Sequence, residues 1–491
     1  TQHERQRYAD IKPLVSNPWT VLHPYAPAAD HGGPVAVDVP QKMDSAVRSP
    51  LAQEEERQPE TQPAWHGTLL PNADADVWLA AAFAEYERIV SREHALQERR
   101  GKSSLTNRDR EQLAASLFAE RSGYLAAVSA SGEVPLAQTH AAIGQSDWYH
   151  VAAGKGVLLL HALRRLVGAS VFDDAMDSFG RAHAGKPVTV AEFVAHMQAK
   201  TGKNLGDFFE YWLTDTGIPK YSISQAKVTA HGKGYLVEGK LARTCVAPEA
   251  DLPLTIETSA GEEVKMIPMT SAHPTFAFEV SHRPLRLVLD KHNTLAKANG
   301  GAFSIQSFHG ELEHTLIVYG TADEEAANRE AANALQRAII ERHSNFTVPI
   351  KTDRTVTDQD LQSHHLLLIG RPDSNTLVRR FQEELPIQFG ARSFVVGKET
   401  YAHDGSAVLA AAANPGNKRF SLVVFAGLSA EATIDTVASW QGRGGSAAEV
   451  IVLPHAGRSK ALVIPAKDLV KQLEAPLELT GRKNGVATSG R

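Results

Sequence analysis

The feature that most restricts the fold is that the spacing of apolar residues changes twice along the chain. Over 76–216, in runs such as DVWLAAAFAEYERIVSREHALQERR and DFFEYWLTDTG, apolar residues recur at three- and four-residue steps with few internal glycines. That is the period of an amphipathic helix, and it predicts an all-α region. After GIPKY the period falls to two, in YSISQAKVTA, GYLVEGKLART, LPLTIETSAGEEVKMIPM, FAFEVSHRP and LRLVLDKHN. Strands with one buried face read this way, so a small antiparallel β-sandwich is expected. A third pattern then sets in: HTLIVYG leads into DEEAANREAANALQRAIIERH, HHLLLIG into SNTLVRRFQEEL, and SLVVFAG into SAEATIDTVASWQ. Strand, Gly-containing loop and helix in repetition predict an α/β domain with a mostly parallel sheet.

The fold class is therefore multidomain α+β, with an irregular start over 1–57, a helical domain over 58–220, the β-sandwich over 221–298, the α/β domain over 310–478 and a flexible tail over 479–491. The length of 491 residues agrees with about three domains. With 43% hydrophobic and 22% charged residues and a net charge of -5, the chain resembles neither a disordered acidic tail nor a nucleic-acid-binding surface. No apolar run reaches the roughly 18 residues that span a bilayer, so nucleic acid and direct membrane insertion are both excluded as expectations. Cys245 is the only cysteine, which rules out an internal disulfide and a Cys-based zinc site. The sequence starts at Thr1 with no charged-then-apolar leader, which fits either a processed precursor or a trimmed chain. The compartment stays open, with an extracytoplasmic one, periplasmic or secreted, preferred.

Several blocks together resemble zinc aminopeptidases of the alanyl-aminopeptidase type, peptidase family M1, which are gluzincins with a helical thermolysin-like catalytic domain. TGKNLGDFFEYWLTDTGIPKYSI (201–223) is similar to the family segment sG-x-x-L-x-x-F-F-x-x-W-l-x-x-x-G-x-P that precedes a β-sandwich. GKGVLLLHALRRLVGASVFDDAMDSFGRAH resembles the Y-E-K-G helix with its L-R-x-x-l-G-x-x-x-F segment, DVWLAAAFAEYE the W-L-n-E-G-F-A-x-Y block, and AWHG the Q-W-W-G after the zinc motif. The resemblance covers 8–290 without a G-x-M-E-N motif, and it implies that the family's large N-terminal β-domain is absent from this sequence.

Carried over residue by residue, the resemblance places the two histidine ligands of H-E-x-x-H on Pro59 and Pro63, within QPETQPAWHG, and the glutamate ligand on Ala81. A catalytic zinc takes about three protein ligands with N, S or O donors, and proline and alanine supply none. Glu60 matches the general base, but without a metal-bound water it has nothing to activate and reads as a surface glutamate. The transition-state tyrosine falls on Ala153, with Tyr149 one turn upstream. Pro59 and Pro63 should also break the former metal helix, leaving 54–67 as loop or a short turn. Trp65, His66 and Tyr149 are the candidate residues of the old cleft. For a relocated metal site the candidates are His3, His66, His94, His140 and His150, but none forms an i, i+4 pair beside an acid. His364 and His365 read as an edge or loop pair. GRPDSN reads as a tight turn capped by Ser374 or Asn375, and no G-x-S-x-G elbow is present.

These readings lead to a non-catalytic aminopeptidase-like protein, a pseudoenzyme with its zinc site lost and no cofactor assigned. It would act as a binding or structural subunit through protein–protein interaction, and its partner would be a separate N-terminal part of a precursor or a second copy in a homo-oligomer. The rival is a metal-dependent aminopeptidase or hydrolase whose active site is completed by another chain or by relocated ligands. A third reading is a peptide- or small-molecule-binding module that uses the old cleft without chemistry.

Overall fold

A computed structural model describes residues 62–101, 104–140, 147–244, 250–269, 271, 273–342, 346–442 and 448–474. The expectations for 1–57, His3, Pro59, Glu60, Cys245 and 479–491 fall outside the described residues. Helix and sheet are both present, as an α+β chain requires. The described residues divide into two compact units, one holding those up to 218 together with those of 292–464 and the other those of 219–291 together with 465–474.

The larger unit opens with a short strand β1 (Leu70–Pro71) and helices α1 (Val77–Arg100), α2 (Asn107–Ser131), α3 (Asp147–Val167) and α4 (Ala169–His183). Strand β2 (Pro187–Val188), which pairs with β1, and helices α5 (Val190–Thr201) and α6 (Gly206–Thr214) come next. Local chemistry sets several helix ends. Thr106 begins α2 and Thr189 begins α5, each accepting the N–H three residues on, from Asp109 and Glu192, whose carboxylates bond back. Gly202 ends α5 in the left-handed conformation at φ 65°. The apolar faces converge on one core that includes Trp65, Trp78, Phe83, Tyr86, Phe172, Phe179, Phe208 and Trp212.

The same unit holds a seven-stranded sheet built from β9 (Thr315–Tyr319), β10 (Ile350–Thr352), β11 (His365–Ile369), β15 (Ala407–Ala413), β16 (Ser421–Gly427), β17 (Val450–Leu453) and β18 (Lys460–Leu462). Its order is β10-β9-β11-β16-β15-β17-β18. Helices α7 (Glu325–Arg342), α8 (Asp358–Ser363), α9 (Thr376–Phe381) and α10 (Ala430–Gly442) connect strands. Strands β10, β9, β11 and β16 run parallel, whereas β16–β15, β15–β17 and β17–β18 are antiparallel. The expectation of a mostly parallel sheet is therefore corrected to a mixed one. Parallel neighbours need a crossover, which the strand–helix repeats supply, but no helix separates AVLAAAA from β16 or VIVL from β18, and these strands pair antiparallel. A small antiparallel sheet of β12 (Gln388–Gly390), β13 (Ser393–Val396) and β14 (Glu399–Tyr401) is inserted before β15.

The smaller unit contains two antiparallel sheets. One has the order β3-β4-β7, from Tyr221–His231, Gly234–Arg243 and Thr275–Val280. In the other, β5 (Leu252–Thr258), β6 (Gly261–Ile267) and β8 (Pro284–Leu289) are joined by β19 (Val470–Gln472), in the order β19-β8-β5-β6. The period of two is visible in the burial of Leu252, Leu254 and Ile256 on β5 and of Leu287 and Leu289 on β8. Strand β19 lies in the range that the pattern assigned to the α/β region; three residues are too few to carry a period of their own.

Candidate functional site

Of the positions matched by the resemblance, Ala81 lies on α1 and Ala153 on α3, which is held between α1 and α2 by two glycines. A Cβ on Gly154 would stand 2.7 Å from Glu120 O and 2.8 Å from Tyr124 Cβ on α2, and one on Gly156 would stand 2.8 Å from Ala82 Cβ on α1. The helices can approach this closely only without those side chains. Between the glycines, Lys155 is fully buried and its ammonium donates to Glu133 Oε1 at 2.9 Å and to Asp215 O at 2.7 Å. Glu133 also accepts from Tyr124 Oη at 2.7 Å and, through Oε2, from the Gly217 N–H at 2.7 Å. Burial pulls the Lys155 pKa down against the hold of Glu133, and burial together with Glu133 pushes the Tyr124 phenol up.

The segment before α1 is pinned in a comparable way. Residues 62–69 form neither helix nor strand, so Pro63 stands in loop. Trp65 is fully buried, its Nε1–H donating to Phe83 O at 3.2 Å and its ring against Phe83, Tyr86 and Phe172. It is a core plug and not a cleft residue, because an indole surrounded by aromatic rings buries the most area there. His66 donates its N–H to Asp177 Oδ1 at 2.9 Å, and its Nδ1 lies 2.9 Å from the same oxygen. Although burial pushes Asp177 up, Arg181 and His66 hold its carboxyl below the usual range. Gly67, at φ 101°, meets Gly180 of α4: a Cβ on Gly180 would stand 1.9 Å from His66 O. The AWHG motif is thus a packing device.

Ala81 is half-buried on α1 and Ala153 is buried on α3. Among the described residues, the positions matched by the resemblance offer no ligand to the zinc it implies. Pro63 and the methyls of Ala81 and Ala153 offer no donor, and among the described residues no group of three or more His, Cys, Asp or Glu is arranged to hold a metal ion. One turn beyond Ala81, Glu85 makes a 2.7 Å ion pair with Arg88 and lies 3.4 Å from Tyr149 Oη. Tyr149 itself is buried, in ring contact with Trp148 and His150. Burial, and then the charge of Glu85, raises Glu120 of α2 to about 8. Sequence reasoning misses Glu85 and Glu120, because their approach depends on how α1 and α2 pack.

Among the described residues, the histidines proposed for a relocated site form no metal-holding group. His94 Nε2 lies 3.0 Å from Asp173 Oδ2, and that bond raises the imidazole. The same carboxylate is gripped by Arg164 at 2.8 and 3.0 Å. His140 is exposed, 3.5 Å from Asp74, and burial lowers His150. His365 is neither edge nor loop: it opens the interior strand β11, buried, with Nδ1 2.8 Å from both Ser421 N and Ser421 Oγ. Burial, followed by Arg419, His314 and His364, pushes it down to about 3. In the GRPDSN loop Asn375 is the cap of α9, accepting from Leu377 N and Val378 N.

Residues 60–212 match the model of the peptidase family M1 domain. Among solved structures it is similar to aminopeptidase A of Legionella pneumophila in complex with aspartic acid, at 16% identity and a TM-score of 0.33, over 60% of this chain and 31% of that one. A substituted M1 zinc metallopeptidase of Deinococcus radiodurans bound to a Tyr-Ser-Ala substrate matches at 24% identity and a TM-score of 0.21, over 28% of each chain. The chain thus spans less than a third of the length of either structure. No curated protein matches it. Among the described residues no helix is long and apolar enough to cross a membrane.

Proposed function

We propose that this is an aminopeptidase-like pseudoenzyme that acts as a non-catalytic binding or structural subunit of a larger assembly. What supports this reading is that the resemblance sets Pro63, Ala81 and Ala153 where the family has metal ligands and a catalytic tyrosine, while the aromatic core of the matched stretch is filled. Fold and chemistry separate in this way when the site is lost and the core is not. The helical part is read as a gluzincin-type domain, and the partner as a separate polypeptide or a second copy of this chain.

The test is made on native material. Light scattering after size exclusion should give a mass above the 53.1 kDa of the chain or a co-purifying protein. Aminoacyl-4-nitroanilides should not be hydrolysed with or without added zinc. Pro59→His, Pro63→His and Ala81→Glu together should leave the chain inactive, since Ala153 still offers nothing to the transition state. Turnover by the wild-type chain that chelation abolishes would overturn the proposal, and a stable monomer without a partner would overturn the subunit role.

A further inference from the structure

Far along the chain from the M1-type stretch, two imidazoles stand face to face. His403 and His455 are both exposed, with ring centroids 3.4 Å apart and planes at 12°. One comes after β14 and the other after β17, and the buried Ser406 fixes both backbones. Ser406 N–H donates to His403 O at 2.8 Å, and the His455 N–H donates to Ser406 Oγ at 3.1 Å. Gly405 leaves the room the pair needs, since a Cβ there would stand 2.7 Å from His455 Nδ1 and 3.5 Å from His403 Nδ1. Both Nδ1 atoms therefore lie on the Gly405 side, which turns the Nε2 atoms away from it.

We propose that His403 and His455 form a surface bis-imidazole site for a divalent transition-metal ion of the nickel, copper or zinc class, with water completing the coordination. Imidazole suits these ions, and metal–nitrogen bonds of about 2.0–2.1 Å bring two ring nitrogens within a few ångströms of each other, as this stack already does. Parallel rings aim their lone pairs along parallel lines, so capture requires the rings to turn, a motion that exposed side chains make in picoseconds to nanoseconds. His403 Nδ1 accepts the Gly405 N–H at 3.1 Å, which leaves the proton of the neutral ring on Nε2. Coordination through Nε2 moves that proton to Nδ1 and gives up the Gly405 bond. With two protein ligands the site is exchangeable, and binding weakens on acidification because protons compete for the same nitrogens.

The test is calorimetric titration of the full chain, free of any polyhistidine tag and stripped of metal, with Ni2+ and with Cu2+. The sequence has 21 histidines, so the strongest site must be assigned by substitution. His403→Ala and His455→Ala should each weaken the first equivalent at least tenfold without changing the unfolding midpoint, while His231→Ala, at another exposed histidine, leaves it unchanged. Gly405→Ala should weaken it as well, by wedging the pair apart. At one equivalent, the Cu2+ paramagnetic resonance spectrum should show two imidazole nitrogens. Equal affinity in wild type and both single variants, or a first equivalent lost through His231→Ala instead, would overturn the proposal.

Discussion

On helix α3, Lys155 and Ala153 stand two positions apart and have opposite relations to the fold. Lys155 is tied to Glu133 and to Asp215 O, and through Glu133 to Tyr124 and Gly217, so no member of the group can change alone. Ala153 and Ala81 present methyls where the resemblance expects a tyrosine and a glutamate, and a methyl holds no polar neighbour in place. Positions that carry packing are coupled through buried polar bonds. Positions that carry only chemistry can be emptied while the core stays filled.

The sharpest way to break this comparison is Lys155→Met, which keeps the volume and removes the ammonium from a carboxylate buried beside it. Breaking one side of a buried pair costs about 3–5 kcal/mol, to be read from urea unfolding. Adding Glu133→Gln should recover part of the loss, since the uncompensated charge goes with it. A loss below about 1 kcal/mol for the single change would mean that the Lys155 group does not hold the helices together.

Next in size is Gly180→Ala. Its methyl would stand 1.9 Å from His66 O and 2.7 Å from the Phe83 ring, so α4 or the Trp65 segment must shift. Overpacking of this kind costs about 1–3 kcal/mol. Gly168→Ala tests the opposite case: nothing lies near its Cβ, and its φ of 97° is the whole source of strain. If the two variants cost the same, close approach is not what Gly180 provides.

A third comparison sets the two kinds of buried titratable group against each other. His365 has its folded-state pKa depressed to about 3, below the ordinary imidazole value of 6.5, so the unfolded chain binds more protons between these values. Its stability contribution is present above pH 6.5 and is lost as pH falls toward 3, by on the order of 2 kcal/mol near pH 4.5. Glu120 works the other way. With its folded pKa raised to about 8 from 4.5, its contribution is full below pH 4.5 and is lost as pH rises through 8. Partial exposure reduces that loss to on the order of 1 kcal/mol. Glu449, raised by burial to about 7, adds a slope of the same sign. Unfolding midpoints measured from pH 4.5 to 9 should therefore flatten on the acid side in His365→Gln and partly on the alkaline side in Glu120→Gln. A Glu120→Gln profile that overlays the wild type would show that Glu120 is not buried enough to matter.

Much of the fold is legible in residue order. The switch from a period of three or four to a period of two marks the helices and the antiparallel strands, and Pro63 and Ala81 can be read directly as positions without a metal donor. The features that residue order hides depend on distant pairs. AVLAAAA and VIVL are apolar throughout, so their period cannot reveal antiparallel pairing with β16 and with each other. Trp65 reads as a cleft residue because its partners Phe83 and Phe172 come from α1 and α4. The approach of Gly67 to Gly180, and of Glu85 to Glu120, has no local signature at all.

The smallest expected effect falls on the emptied side of the comparison. Ala81→Glu returns a carboxylate to the matched position, half-buried on α1 and one turn before Glu85. Like charges at this spacing cost about 0.2–0.5 kcal/mol, and a substitution at a position with no bonded neighbours stays near that range. The variant should therefore unfold within about 1 kcal/mol of the wild type, in contrast with Lys155→Met. It should gain neither zinc at this place nor aminopeptidase turnover, because Pro63 and Ala153 still supply no donor and one carboxylate is too few for a catalytic zinc. Elemental analysis after removal of loosely held metal and an aminoacyl-4-nitroanilide assay decide the point. Zinc retained through Ala81→Glu, with the His403 and His455 pair substituted, would show that further ligands already surround this position and that the site is closer to chemistry than its alanines imply.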